Sequence, residues 1–119
     1  MKLFGAAGAA GLFLSVAFGA FAAHALKGQL SSEMLGVFDV GVRYQVYHSL
    51  ALLAVAVLVH KNKFFKYAGI FYIAGIILFC FSLYVLSLTD MRWVAFLTPV
   101  GGLSLLAGHL TLLIGFLRM

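Results

Sequence analysis

A dense group of polar side chains able to do chemistry falls in one stretch, residues 43–48, with the sequence RYQVYH. On a helix, Tyr44 and His48 lie one turn apart. Guanidinium and imidazole groups bind phosphates and carboxylates, and Gln45 adds a hydrogen-bonding amide. The polar residues of this stretch go most of the way round a helix, so they do not all face one pocket. Gln45 and His48 lie deeper than Arg43 and are expected to point into the protein interior.

Two other segments carry polar residues at the same predicted membrane side. The sequence AAHALKG places His24 and Lys27 at the end of the first apolar stretch. Thr98 is predicted to cap the fourth helix with Pro99 as its first residue, because proline suits that position. Helix N-termini carry partial positive charge, so the combined set predicts a site for a lipid phosphate or a carboxylate. The predicted ligand-binding residues are His24, Lys27, Arg43, Tyr44, Gln45, His48, Thr98 and Pro99.

The acidic residues of the chain fall on the same predicted side of the membrane as this polar cluster. The cluster could therefore have a structural role instead of a ligand-binding one. Ion pairs between these carboxylates and nearby basic side chains would form a structural lock that holds the outer loop over the helices. The acids are Glu33, Asp39 and Asp90, and the basic partners are Lys27, Arg43 and Arg92. A lock and a ligand site are compatible, and the sequence leaves both open.

The histidines raise an alternative function. Two imidazoles that face each other across a bundle ligate haem, and imidazole with carboxylates holds a transition metal. His24 and His48 come from adjacent spans at similar depth. A haem- or metal-binding redox component is therefore the alternative to a binding protein whose site needs no cofactor. His109 stands alone in the last span and is expected to bond to a neighbouring helix.

Motifs give other function classes little support. The sequence has no G-x-S-x-G element, no paired carboxylates at catalytic spacing and no phosphate-binding glycine loop, which favours a non-enzymatic protein. A small-solute transporter or channel is a further alternative, although only Ser104, His109 and Thr111 would line the inner half of a path. The net charge of +5 does not indicate nucleic acid binding, because the basic residues sit where membrane topology places them.

The elements that must position these residues are membrane spans. Of the 119 residues, 65% are apolar and only 9% are charged, and the mean hydropathy is +1.14. Soluble domains carry about 25% charged residues, so this chain is predicted to be an all-α integral membrane protein. No stretch alternates with the period of a barrel strand. A single domain with four transmembrane helices is expected, at residues 3–23, 44–59, 65–88 and 94–117.

Residues 30–43 are less apolar than the spans but compatible with a helix. They predict an amphipathic helical segment at the outer surface that is either separate or the start of the second span. Ser31 or Ser32 suits its N-cap, and Gly36 and Gly41 are candidate bends. The N-terminal apolar run followed by AFAAHA also resembles a signal peptide, although its patterned small-residue face favours a retained span.

The distribution of basic residues predicts the orientation. Five of the eight lie at the ends of the chain or in the loop 60–66, namely Lys2, Lys61, Lys63, Lys66 and Arg118. The positive-inside rule therefore places both termini and this loop in the cytoplasm. The 24–43 segment and the turn near Asp90 are expected on the outer side.

Small residues recur along the first and fourth spans and predict close helix packing. In membranes, such residues let helix backbones approach. The stripes include Ala7, Gly11, Ser15 and Gly19 in the first span and Gly101, Gly108 and Gly115 in the fourth. These faces either pack within one chain or join copies of it, so a homo-oligomer is one expectation.

Four segments carry a resemblance to a known family: GAFAAHALK, FDVGVRYQVYHSLALL, FSLYVLSLT and LTPVGGLSLLAGHL. They resemble the domain-of-unknown-function 423 family of small four-span membrane proteins in bacteria, which has eukaryotic transmembrane relatives. The resemblance covers nearly the whole chain in order. It implies four spans and a bacterial inner-membrane location, and it implies no activity.

These observations lead to one main hypothesis about function. The chain is expected to be a small, non-enzymatic membrane protein whose partners are membrane lipids. Its polar residues at the outer-leaflet end of the bundle would bind a lipid headgroup or a small anion.

Overall fold

The computed structural model describes all 119 residues and consists of four long helices joined by short turns. They are α1 (Lys2–Leu26), α2 (Ser32–Leu58), α3 (Lys63–Thr89) and α4 (Arg92–Leu117). Each is long and apolar enough to cross a membrane, and the longest dimension of 49 Å exceeds the thickness of a bilayer with its headgroups, about 40–45 Å. The predicted all-α membrane fold with four spans is confirmed.

The amphipathic segment before the second span is part of α2. The helix runs without interruption from Ser32 to Leu58, through Gly36 and Gly41. Ser31 caps it, because its hydroxyl oxygen accepts a hydrogen bond from the backbone N–H of Met34 at 3.1 Å. Of the two arrangements that the sequence left open, the structure shows the continuous helix.

The fourth span begins earlier than predicted. A 3₁₀ turn, Arg92–Phe96, runs directly into the α-helical part, Leu97–Leu117. The prediction that Thr98 caps this helix is therefore wrong, since the helical end lies at Met91. The Thr98 hydroxyl instead shares a hydrogen bond with Ser82 of α3 at 2.6 Å. Pro99 remains in the first α-helical turn, where its missing N–H costs little.

A wider helical turn interrupts α3 near its middle. Residues Ile76–Cys80 are π-helical, and the N–H of Phe81 bonds to the carbonyl of Ile76, five residues before it. Tyr72, Ile76, Cys80 and Tyr84, spaced four residues apart, are all buried on this helix. Such turns occur often at functional sites.

The helices form a central pair flanked on both sides. α2 and α3 pack on each other, α1 packs mainly on α2, and α4 packs mainly on α3. The small residues predicted to mediate packing lie at these contacts. A Cβ at Gly11 would come within 3.0 Å of the Cβ of Ser49, and Gly101 lies against the backbone of Leu78 and Phe79. The stripes are thus used within one chain, and association of copies remains a prediction.

Candidate functional site

A groove of about 300 Å³ lies between α2 and α4, with Phe79 of α3 at its floor. Tyr44, Tyr47 and Leu106 are exposed along it, so it opens on the side of the bundle. His109 is also exposed, whereas His48 is 5% exposed. The residues that line the groove are Tyr44, Tyr47, His48, Phe79, Gly102, Leu105, Leu106 and His109.

The polar part of the groove lies deep in the membrane-spanning region. His48 precedes the end of α2 by ten residues, His109 precedes the end of α4 by eight, and Tyr72 follows the start of α3 by nine. These ends lie on the side that carries the basic loop. At about 1.5 Å per residue, all three side chains start about 12–15 Å from that side. The hydrocarbon core of a bilayer is about 30 Å thick, so the cluster is near its middle.

Three side chains from three helices form one chain of hydrogen bonds. Tyr72 Oη and His109 Nδ1 are 2.8 Å apart, and the Nε2 atoms of His109 and His48 are 3.0 Å apart. The other nitrogen of His48, Nδ1, donates to the backbone carbonyl of Tyr44 at 2.7 Å. The series therefore joins α3, α4 and α2 at one depth.

The backbone carbonyl at the end of this series determines where the protons lie. A carbonyl oxygen only accepts, so His48 Nδ1 carries a hydrogen and, in neutral His48, Nε2 is an acceptor. His109 must then donate from Nε2, which leaves its Nδ1 to accept from the Tyr72 hydroxyl. With both imidazoles neutral, each of their four nitrogens has a matched partner.

No formally charged side chain lies beside the imidazoles of His48 and His109. The titratable groups that face them are phenols: Tyr44 and Tyr47 on α2 and Tyr72 on α3. None of the residues that line the groove is acidic, lysine or arginine. Glu33, Asp39 and Asp90 are exposed and lie toward the opposite ends of the helices.

Gln45 belongs to a different polar cluster. Its side-chain N–H donates to the carbonyl of Gly11 in α1 at 2.8 Å, and its oxygen accepts from the Tyr84 hydroxyl of α3 at 2.6 Å. Gln45 is 1% exposed. The expectation that Gln45 and His48 point inward is confirmed, but they do so toward different neighbouring helices.

The remaining predicted site residues lie in separate places. Arg43 pairs with Asp39 at 2.9 Å on the exposed surface of α2, and Lys27 lines a shallow groove of about 280 Å³ between α1 and α2 that Asp39 also borders. His24 is exposed at the end of α1. Pro99 is exposed near the start of α4, beside the half-buried contact of Thr98 with Ser82.

The ion pairs at the predicted outer side are local. Arg43 and Asp39 are four residues apart, and Arg92 bonds to Asp90 at 3.0 Å, two residues away. Neither pair joins two distant segments, so neither holds the outer loop over the bundle. Exposed pairs of this kind contribute little stability. Lys27 and Glu33 form no ion pair.

The histidines do not meet as the haem hypothesis requires. His48 faces His109 rather than His24, and both of its ring nitrogens are engaged within the protein. Ligation of haem by His48 would have to break one of these bonds. The protein has no group of three or more His, Cys, Asp or Glu side chains arranged to hold a metal ion.

The family model described as Protein of unknown function (DUF423) matches residues 18–102. The chain belongs to this family. The match within DUF423 includes Tyr44, His48 and Tyr72, whereas His109 lies beyond it. The resemblance found in the sequence motifs is confirmed.

Relatives of this DUF423 protein are membrane proteins. The chain is 40% identical to the UPF0382 inner membrane protein YgdD of Escherichia coli K12 over 109 residues, covering 90% of this chain and 83% of the relative. It is 41% identical to a UPF0382 membrane protein of Staphylococcus haemolyticus over 115 residues, covering 96% and 94%. A UPF0382 membrane protein of Staphylococcus saprophyticus is 37% identical over the full length of both chains. No solved structure matches the chain.

Proposed function

We propose that this protein binds a lipid-soluble amphiphile in the groove between α2 and α4, with the polar group of the ligand at the His48–His109 pair. One observation carries this proposal: a hydrogen-bonded series of titratable side chains lies near mid-membrane, beside an open groove. Polar groups are costly in hydrocarbon, and where they occur in spans they commonly mark functional sites.

The walls of the groove suit a ligand with an apolar body. Phe79, Leu105 and Leu106 provide hydrocarbon surface along its length. The hydroxyls of Tyr44 and Tyr47 are unoccupied by any partner within the protein, since neither takes part in a side-chain hydrogen bond. These groups would orient the polar end of a ligand that enters sideways from the bilayer.

The outer end of the bundle supports a second candidate site. Lys27 lies at the groove between α1 and α2, and Arg43 is beside it through its pair with Asp39. Two basic side chains near the membrane surface would attract a lipid headgroup or a small anion. Asp39 opposes that attraction, which is why the groove between α2 and α4 is the stronger candidate.

Native mass spectrometry of protein extracted gently from its own membrane tests the first candidate. Leu106→Trp fills the groove at a residue that is 66% exposed, and Leu103→Trp, at 68% exposure on the same helix, lies outside it. We expect a co-purified amphiphile to disappear in Leu106→Trp and to persist in Leu103→Trp. Equal retention in both variants, or no bound amphiphile in the wild-type protein, contradicts the proposal.

The same preparation tests the outer site and the alternatives. Loss of the bound molecule in Lys27→Ala and Arg43→Ala, with retention in Leu106→Trp, would move the site to the outer groove. An intense visible absorption band would identify a haem protein, and ion flux in liposomes would identify a channel. The measured mass also gives the number of subunits, which tests the predicted homo-oligomer. Any lipid that remains bound tests the prediction that the partners of the protein are membrane lipids.

A further inference from the structure

We infer that the ligand of this groove is a single-chain lipid carboxylic acid and that the His48–His109 pair accepts its proton. This inference rests on the proposed binding function and names the chemical class of its ligand. It follows from the number of protons that the pair can hold and from the absence of any acidic side chain along the groove.

The pair can take up one proton without losing a hydrogen bond. If His48 becomes protonated, both of its nitrogens donate, one to the Tyr44 carbonyl and one to His109 Nε2. His109 must then carry its own hydrogen on Nδ1, from which it donates to the oxygen of Tyr72. The tautomer of His109 changes and the Tyr72 hydroxyl becomes the acceptor of its bond, and the distances of 3.0 Å and 2.8 Å already suit the reversed bonds.

A second proton has no place in this arrangement. With both imidazoles protonated, two N–H groups would face each other across the 3.0 Å gap between the Nε2 atoms. Two positive charges at this distance also repel strongly in a medium of low dielectric constant. The pair is therefore a site for a single proton.

A protonated pair near mid-membrane needs an anion, because an isolated charge is very costly in hydrocarbon. The protein does not supply one, since the side chains that face the pair are phenols and all three carboxylates lie toward the outer ends of the helices. A ligand carboxylate would complete the charge balance. The proton of the carboxylic acid leaves its oxygen and bonds to His109 Nδ1, from which the Tyr72 hydroxyl hydrogen turns away, and the Nε2 hydrogen of His109 moves to His48. The products are a carboxylate and an imidazolium, with no change in electron count.

Depth favours a fatty acid over a phospholipid. A phospholipid headgroup stays at the interface, about 15 Å from the middle of the bilayer. A protonated carboxylic acid is neutral and reaches this depth at much lower cost. One acyl chain would then lie along Phe79, Leu105 and Leu106, within the groove of about 300 Å³.

Binding of two probes with the same chain length tests this inference. Purified wild-type protein in nanodiscs is titrated with palmitic acid and with hexadecanol, which lacks the transferable proton. We expect the acid to bind at least about tenfold more tightly than the alcohol, the equivalent of one ionic hydrogen bond. In ¹³C NMR, labelled palmitic acid should give the signal of a carboxylate when bound.

The double variant His48→Gln, His109→Gln is the matched variant, because glutamine keeps a hydrogen-bonding amide at each of the two positions but takes no proton. This variant should bind both probes equally well, and Lys27→Ala should keep the preference for the acid. Equal binding of the probes to wild-type protein, or a bound acid that remains protonated, overturns the inference while the groove remains a binding site. If neither probe binds, the inference fails, and only another co-purified amphiphile would sustain the binding function.

Discussion

Gln45 and His48 lie within one turn of α2 but bond to two different neighbouring helices. Gln45 donates to Gly11 of α1 at 2.8 Å, and His48 shares a hydrogen with His109 of α4 at 3.0 Å. α3 contributes a tyrosine to each cluster, Tyr84 to the first and Tyr72 to the second. A single turn of α2 therefore connects all four helices through two separate polar clusters.

The first cluster is predicted to stabilise the bundle. In Tyr84→Phe, the buried oxygen of Gln45 loses its only side-chain donor. We expect unfolding in mixed micelles to become easier by about 0.5–2 kcal/mol, the range for hydrogen bonds between membrane helices. Tyr67→Phe, at an exposed position, is the control and should change little. If a double-mutant cycle of Tyr84→Phe and Gln45→Leu gives no coupling free energy, this hydrogen bond does not stabilise the protein.

The contact between α3 and α4 predicts a contrast between two adjacent glycines. A Cβ at Gly101 would overlap the backbone of the π-helical turn, at Leu78 and Phe79, whereas a Cβ at Gly102 would sit 3.7 Å from the Phe79 ring. We expect Gly101→Ala to reduce the free energy of unfolding by about 1–3 kcal/mol. Gly102→Ala should change it by less than about 0.5 kcal/mol. Similar values for both variants would mean that α4 does not pack this closely on α3.

The hydrogen-bond series predicts the tautomers of two histidines. In the absence of ligand, ¹⁵N NMR should show His48 with its hydrogen on Nδ1 and His109 with its hydrogen on Nε2. Exposed His24 and His60 serve as internal controls and should give the averaged signals of solvated imidazoles. A hydrogen on Nε2 of neutral His48 would be inconsistent with the series.

The orientation in the membrane is predicted from charge alone and can be measured with cysteine labels. Native Cys80 is fully buried and gives no background. A membrane-impermeant maleimide should label Gln29→Cys in spheroplasts, and should label Lys61→Cys only after the membrane is opened. The opposite pattern would place the basic loop outside.

Local sequence rules predicted part of this architecture well. The apolar lengths predicted four spans, Ser31 was one of two candidate caps, and the cost of polar groups in lipid predicted that Gln45 and His48 turn inward. Thr98 was misplaced because a 3₁₀ turn extends the helix before it. A proline at the start of a helix does not reveal such an extension.

The hydrogen-bond partners of His48 could not be predicted from these rules. His109 was expected to bond to another helix, but the identity of that partner depends on the depth and rotation of two helices that are distant in sequence. Tyr72 was not selected, since a lone tyrosine in a span is common at packed interfaces. One signal was present: Tyr72, Ile76, Cys80 and Tyr84 recur every four residues, a longer spacing than the 3.6-residue turn of an α-helix.

That spacing gives the π-helical turn of α3 a further consequence. It adds a residue to one turn between Tyr72 and Tyr84 and so sets the angular phase between the two halves of the helix. Each residue of an α-helix turns the chain by about 100°, so removal of one residue from this turn would swing one tyrosine away from its partner. Tyr72 would keep its bond to His109 while Tyr84 lost its bond to Gln45, or Tyr84 would keep its bond while Tyr72 lost its own. The number of residues between the two tyrosines is thus as strong a constraint on this protein as their identity.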